Sequence, residues 1–478
     1  MRTSATPIVV ALPEPGNPVV SIRLVFRSGS ADDPKGKEGL ADLTATVMAD
    51  GGTAKLAAAD LVRALYPMAA DLFSTTDREM TVFVGRCHRD HLSVFLPLLA
   101  DVLLEPRLDP KEFERLRTDA VNDLTLRLRT SDDENLGKEL VEAMLAPSHG
   151  YGHPSIGTES GLTSITLDDV KAFRKKAFGA GRLTIGIAGG YDPTVFQAFQ
   201  QRLAGLPPGD PLATPAPLPV AAERNILIVE KPTASSAVSM GFNIDVKRGD
   251  PDFFELRMAM AWFGEHRQGV GRLFNEIREK RGLNYGNYAY AEDFVEQGGT
   301  VFARNNIARR HQHFEMWIRP VENKNALFAT RAALWQFDSL LKNGMGDDAF
   351  REMRDWLQGY SRLWELTTDR RLGYAIDGVY YETPAYLDTF RKSLAKMTAA
   401  QVNDAVRRRL SGKSLQIAIV TQDGGAFRDA IVGNKPTPAI YESKPPEDVL
   451  RDDKTIEAWP FDVTADRVKV MKVEEAFK

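Results

Sequence analysis

The sequence predicts an α+β protein of two homologous halves, each a mixed, mainly antiparallel sheet with helices packed on one face. Three observations predict it. The first is size: 478 residues, 43% hydrophobic and 26% charged. At roughly 100–200 residues per domain this is too long for one core. Its apolar content is enough to fold without disulfides or metal. The second is a break. The stretch LPPGDPLATPAPLP, Leu206 to Pro219, carries prolines 207, 208, 211, 215, 217 and 219, which exclude both a helix and a central strand. It reads as a stiff, extended spacer. The third is an internal repeat at long period.

The repeat fixes the order of elements. In the first half the strand VVSIRLVF leads to Asp33-Pro34 and a helix; in the second, AVSMGFNIDV leads to Asp250-Pro251 and a helix. An apolar helix, HLSVFLPLLADVLL, then precedes LDPKEFERL, and FATRAALWQFDSLL precedes MGDDAFREM, with Phe113 opposite Phe350. Finally Thr166 heads LDDVKAFRKKAFGAGRLTIGI and Thr398 heads AAQVNDAVRRRLSGKSLQIAI. Both read as a capped helix, a turn and an alternating strand, with Val170, Phe178 and Ile185 matched by Val402, Leu410 and Ile417. The expected domains are residues 1–208, a linker at 209–222, residues 223–440, and an extended tail, 441–478, strapped over the outside.

Composition excludes several functions. With 61 basic and 65 acidic residues the net charge is −4, which argues against a general nucleic-acid binder. No apolar run approaches the length of a membrane span. A lone Cys87 permits neither a disulfide framework nor a Cys-based zinc cluster. The apolar stretch Ile8 to Leu12 is too short for a signal-peptide core. The expectation is a soluble protein without a targeting segment in the chain as given, its compartment, periplasmic or cytoplasmic, left open.

Residues Gly36 to Thr53, GKEGLADLTATVMADGGT, follow Gly29-Ser30 and Pro34. Together they resemble the opening helix of the insulinase/pitrilysin-like zinc peptidases, in particular the mitochondrial-processing-peptidase-like branch. That family carries H-x-x-E-H on this helix: two His four apart hold zinc and the Glu activates its water. A Glu further along completes the ligand set. The resemblance places the first His at Asp42, the Glu at Ala45, the second His at Thr46 and the distal ligand at Asp123. Ala45 accepts no proton, Thr46 is a poor zinc ligand, and two carboxylates without imidazole or thiolate are unusual for zinc. The degenerate helix therefore implies no metal of its own. Elsewhere, His88 and His91 read as an exposed helix start, and His149 to Pro154 as a structural loop.

Residues Gly271 to Tyr290, GRLFNEIREKRGLNYGNYAY, resemble the family's second signature. By themselves EIREKR is a surface helix ended by Gly282, with Tyr285 beginning the next strand. The resemblance implies that Arg278 and Tyr285 bind the substrate backbone and stabilise an oxyanion, while Arg281 is structural. The loop Gly264 to Gly271, GEHRQGVG, departs from the family pattern. The implied protein is a non-catalytic, substrate-binding subunit enclosing half of a peptidase chamber. Its implied partners are a homologous catalytic subunit, which carries the zinc and the intact motif, and a peptide or unfolded polypeptide. The alternatives are a structural or interaction protein, like the family's core subunits of respiratory complexes, and a homodimeric peptide-binding pseudopeptidase.

Overall fold

The computed structural model describes residues 6–212, 215–219 and 221–478. Five strands form the first sheet: β1 (Ile8–Pro13), β2 (Val19–Phe26), β3 (Asp71–Thr76), β4 (Thr81–His88) and β5 (Leu183–Gly189), in the order β1-β5-β2-β4-β3. The second sheet contains β6 (Asn225–Glu230), β7 (Ser235–Ile244), β8 (Asn287–Tyr290), β9 (Gln312–Glu322), β10 (Gln416–Thr421) and β11 (Val468–Lys472), in the order β11-β6-β10-β7-β9-β8. The two orders coincide from β1 and β6 onward. Only β1–β5 is parallel in the first sheet, and only β6–β10 and β6–β11 in the second.

The repeat is visible in local chemistry. Thr166 opens the helix Leu167–Ala177 with a reciprocal cap to Asp169, and Thr398 opens the helix Ala399–Arg409 with the same cap to Gln401. Each cap satisfies otherwise orphaned N–H groups at the helix start. Phe113 and Phe350 are both buried on the helices Pro110–Asn122 and Asp347–Tyr360.

The Pro-rich segment carries neither helix nor strand in its described residues; positions 213, 214 and 220 lie outside them. Its carbonyls are used as acceptors. Pro207 and Pro208 take the Ala180 and Gly181 N–H groups, and Asp210 and Pro211 take the Arg182 guanidinium. The tail departs from the expected strap. It folds a helix, Glu447–Ile456, and adds β11 to the edge of the second sheet. The alternation V-K-V-M-K of β11 gives it one apolar side for this role. The last residues then return to the first half, where Arg129 Nε donates to Ala476 O at 2.6 Å and Glu159 N to Phe477 O at 2.9 Å.

Each sheet buries one face under its own helices. In β2 the residues Val20, Ile22, Leu24 and Phe26 point into that core. The opposite face, with Val25, Val82 and Ala188, is covered by Leu372, Ile376 and Tyr380. These belong to the helix Thr368–Tyr380, which lies in the second half of the sequence. The reciprocal arrangement covers the second sheet: the helix Asp133–Leu145 of the first half packs on β7 and β10. Both exchanged helices approach closely through glycine. A Cβ on Gly137 would lie 2.9 Å from Ser239 Oγ; one on Gly373 would lie 2.5 Å from Asn305 Cβ and 2.7 Å from Arg23 Nη1. Burying a Leu or Ile such as Leu372 or Ile376 contributes about 1.5–3 kcal/mol each, so the exchange is a substantial part of the core.

Gly373→Val should destabilise the chain by about 1–3 kcal/mol through overpacking. Gly359→Ala, in the helix Asp347–Tyr360 with nothing within 4 Å of the new Cβ, should be neutral or stabilising by up to ~1 kcal/mol. Urea unfolding of the two variants checks the contrast.

Candidate functional site

Between the halves lies a cavity of about 630 Å³. The exchanged helix Asp133–Leu145 supplies one wall through Glu134, Lys138 and Glu142; the second half supplies the other through Arg267, Phe294, Trp317 and Arg319. Buried charges cross the seam at its back. Arg309, 2% exposed, reaches from the second half to Asp77 at 3.0 Å and Glu142 at 3.0 Å in the first, and to Asp293 at 2.7 Å. Arg78, equally buried, pairs with Glu139 at 2.7 Å and Glu142 at 3.0 Å. Burial works against the Glu142 carboxylate, but Arg309 and Arg78 outweigh it and hold it well below the usual carboxylate range. Burial pushes Asp293 up to about 7 against the pull of Arg309. Glu142, Asp293 and His313 offer donor atoms within 4.8 Å of one another. Arg309 pairs with both carboxylates of this trio.

The helix Leu40–Asp50 packs on β3, whose last residue, Thr76, lines this cavity. Ala45 is fully buried, whereas Asp42 and Thr46 keep some exposure. The fold brings Asp42 close enough to Asp123 for the charges to interact. Asp123 opens a π-helical turn, Asp123–Leu128, after the helix Pro110–Asn122. Its two oxygens both accept from Arg127, by Nε and, at 2.7 Å, Nη2. Arg127 also reaches Asp132, the cap of the exchanged helix, at 3.4 Å. This donor set does not suit zinc: it has no imidazole or thiolate, no base at position 45, and one of its two carboxylates is already clamped by a guanidinium. Burial pushes the Asp42 carboxyl up to about 6, with Asp123 adding to the push and Arg304 opposing it.

In the second half Arg278 lies on the π-helical turn Phe274–Glu279, and Gly282, at φ +62°, ends it. Tyr285 does not begin the strand. Residue 284 makes one isolated bridge to Val321, and β8 starts only at Asn287, so Tyr285 sits in the bend between them. Fold and spacing still bring the pair together: the Arg278 guanidinium is 5.3 Å from the centre of the Tyr285 ring. Arg278 pairs with Glu279 at 2.6 Å, and Tyr285 is 60% exposed. Arg281, in contrast, is wholly buried, donating to Asp453 at 2.8 Å and to Glu276 O at 2.6 Å. In the divergent loop, burial pushes His266 down to about 3, so it is a neutral ring stacked between Tyr288 at 4.1 Å and Phe294 at 4.9 Å.

Family models match this chain in two places. The model of the insulinase peptidase family M16 matches residues 8–147, and the model of the M16 inactive domain matches residues 164–303. Together they span more than half of the sequence. The chain belongs to peptidase family M16. Among curated M16 relatives it is 23% identical to the non-peptidase homolog YmxG of Helicobacter pylori over 84% of this chain and 89% of that protein. Among solved structures, an M16 inactive domain from Pseudomonas fluorescens matches with a TM-score of 0.76, at 22% identity, over 88% of this chain and 96% of that one. The periplasmic protease PqqL from Escherichia coli matches with a TM-score of 0.68, at 13% identity, over 95% of this chain and 49% of that chain. The M16 fold thus accounts for both halves, and no helix among the described residues is long and apolar enough to cross a membrane.

Some residues of the site carried no sequence signal. Arg127 is visible only as a residue four after Asp123 on a helix. Arg309 and Arg319 each take partners from the other half, Asp77 and Glu142 for the one and Glu134 for the other, and nothing in local spacing announces them.

Asp42 generates a test with a defined sign. An unfolded Asp titrates near ~3.9, below its folded value of about 6. The folded state therefore binds this proton more tightly. Its stabilising effect is complete below about pH 4 and is lost as pH rises through 6. Asp42→Asn should be more stable than the parent by about 1–3 kcal/mol at pH 7, with the gain vanishing by about pH 4. Urea unfolding of both proteins across that range measures it.

Proposed function

We propose that this chain is a non-catalytic, substrate-binding subunit of a zinc metalloendopeptidase, presenting Arg278 and Tyr285 to a peptide held at the zinc site of a homologous partner. The observation that carries the reading is the contrast between the two signature regions. Positions 42, 45, 46 and 123 retain the helix geometry without ligands or base. Arg278 and Tyr285 keep side chains that contact each other and remain open to a ligand. A guanidinium and a phenol side by side are suited to a carbonyl oxygen that gains charge. The length relation to PqqL supports the partner: this chain accounts for 49% of that protease, leaving room for a second unit of equal size. In this reading zinc belongs to the partner, and the substrate is a peptide or unfolded polypeptide spanning both subunits.

The test is peptide hydrolysis by the complex that co-purifies with this chain, with assembly followed by sizing. Tyr285→Phe should lower kcat by on the order of 10²–10³, and Arg278→Ala should lower kcat and raise KM. Lys280→Ala, which removes only the partly exposed pair with Glu276, is the control; Arg281 is unsuitable because it is buried on Asp453. Elemental analysis of the chain alone should find no stoichiometric zinc. One tightly held equivalent, with peptidase activity of the lone chain lost on chelation, refutes the reading, and so does unaltered cleavage by normally assembled Arg278→Ala and Tyr285→Phe.

A further inference from the structure

Two guanidiniums lie over the Tyr285 ring. That of Arg278 is 5.3 Å from its centre, and that of Arg319 of β9 is 5.5 Å from it. The backbone of the bend is fixed separately. Arg319 N donates to Gly286 O at 3.1 Å, and Asn284 Nδ2 donates to Arg319 O at 3.0 Å and to Asn287 Oδ1 at 2.9 Å. The Arg319 guanidinium lies over the Tyr285 ring and also near the hydroxyl of the buried Tyr288. It is itself held across the seam, because its Nε pairs with Glu134 at 2.9 Å. Glu134 is in the first turn of the exchanged helix Asp133–Leu145. One turn further along that helix, Lys138 places its ammonium 3.7 Å from the centre of the Trp317 ring, two residues before Arg319.

We propose that Arg319, anchored by Glu134 of the opposite half, is a positioning residue that fixes the Tyr285 ring for substrate contact. A ring that is 60% exposed has few packing neighbours to restrict it. A guanidinium on an aromatic face contributes about 0.5–1 kcal/mol at an exposed site, and pairing with Glu134 reduces the freedom of that guanidinium. The first half thus reaches the substrate-contact group without touching substrate. The proposal rests on the role assigned above to Tyr285, but its first measurement does not.

Fluorotyrosine placed at position 285 of the full chain reports the ring directly. The ¹⁹F resonance should shift and narrow in Arg319→Ala, and in Glu134→Gln, which leaves Arg319 present but unanchored. Lys280→Ala should leave it in place; Arg319→Ala and Glu134→Gln, which break a part-buried pair, should lower the unfolding midpoint by about a few degrees yet remain folded at the temperature of measurement. A second measurement uses the co-purified complex. Arg319→Ala should lower kcat by about 10- to 100-fold, the range of a slight misplacement, with little change in KM. It should add no further loss in a Tyr285→Ala background, because it acts through that ring. An unchanged ¹⁹F resonance in Arg319→Ala overturns the proposal. So do additive losses in the double variant. If the resonance shifts but Tyr285→Ala cleaves normally, the positioning stands and the catalytic role of Tyr285 falls.

Discussion

Everything in this molecule depends on the need of each sheet for a second cover. A sheet with apolar residues on both faces cannot leave one of them in water. Here each half provides helices for one face of its own sheet and sends a single helix to the other half. The helix Thr368–Tyr380 seals β1, β2 and β5, and the helix Asp133–Leu145 seals β7 and β10. Neither half has a complete core without the other. The glycines at 137 and 373 let the exchanged helices come close enough to fill that role, at a cost of about 0.5–1 kcal/mol each relative to alanine in an open helix.

The same exchange explains the polar interior of the seam. Once a first-half helix lies on a second-half sheet, its side chains face residues distant in sequence, and charged groups at this contact must find partners there or pay a large desolvation cost. Arg309 does so with Asp77, Glu142 and Asp293, and Lys231 donates to the carbonyls of Arg129 and Thr130 just ahead of the exchanged helix. Such buried pairs contribute little net stability against apolar replacements of the same volume. Their effect is on register: an exchanged helix shifted by one turn would part the buried Glu142 from Arg309 and Arg78, while Arg309 kept Asp77 and Asp293.

The sequence made much of this legible. Two capped helix–strand units headed by Thr166 and Thr398, and the paired positions Phe113 and Phe350, reveal the repeat because caps and apolar periodicity are local. The Asp42, Ala45 and Thr46 substitutions are legible because the metal motif is a fixed spacing on one helix. What stayed hidden is non-local. The tail 441–478 reads as polar and proline-containing, yet β11 needs only one apolar side because it lies at a sheet edge. The strand after Arg278 starts at Asn287 rather than at Tyr285, and the carbonyl of Arg319, far along the chain, is taken by the Asn284 side chain. The exchange of helices has no sequence signature at all, since an amphipathic helix does not state which sheet it covers.

The geometry also accounts for why the two signature regions can diverge so differently within one fold. The helix Leu40–Asp50 packs on β3 and on its neighbouring helices, and its Leu43, Val47 and Met48 are buried in the core. Its structural role needs those apolar positions and not the metal ligands between them. Loss of the ligands therefore leaves the packing intact, and the remaining carboxylate at 123 is neutralised by Arg127 on its own helix. The second region is different. Arg278 and Tyr285 lie at the surface, where neither is required by the core, while the surrounding residues Ile277, Arg281 and Tyr288 are buried. A partly exposed arginine and an exposed tyrosine, stacked on one another and braced by a third residue from β9, are not explained by packing. The proposed role, contact with a peptide outside the chain, accounts for them.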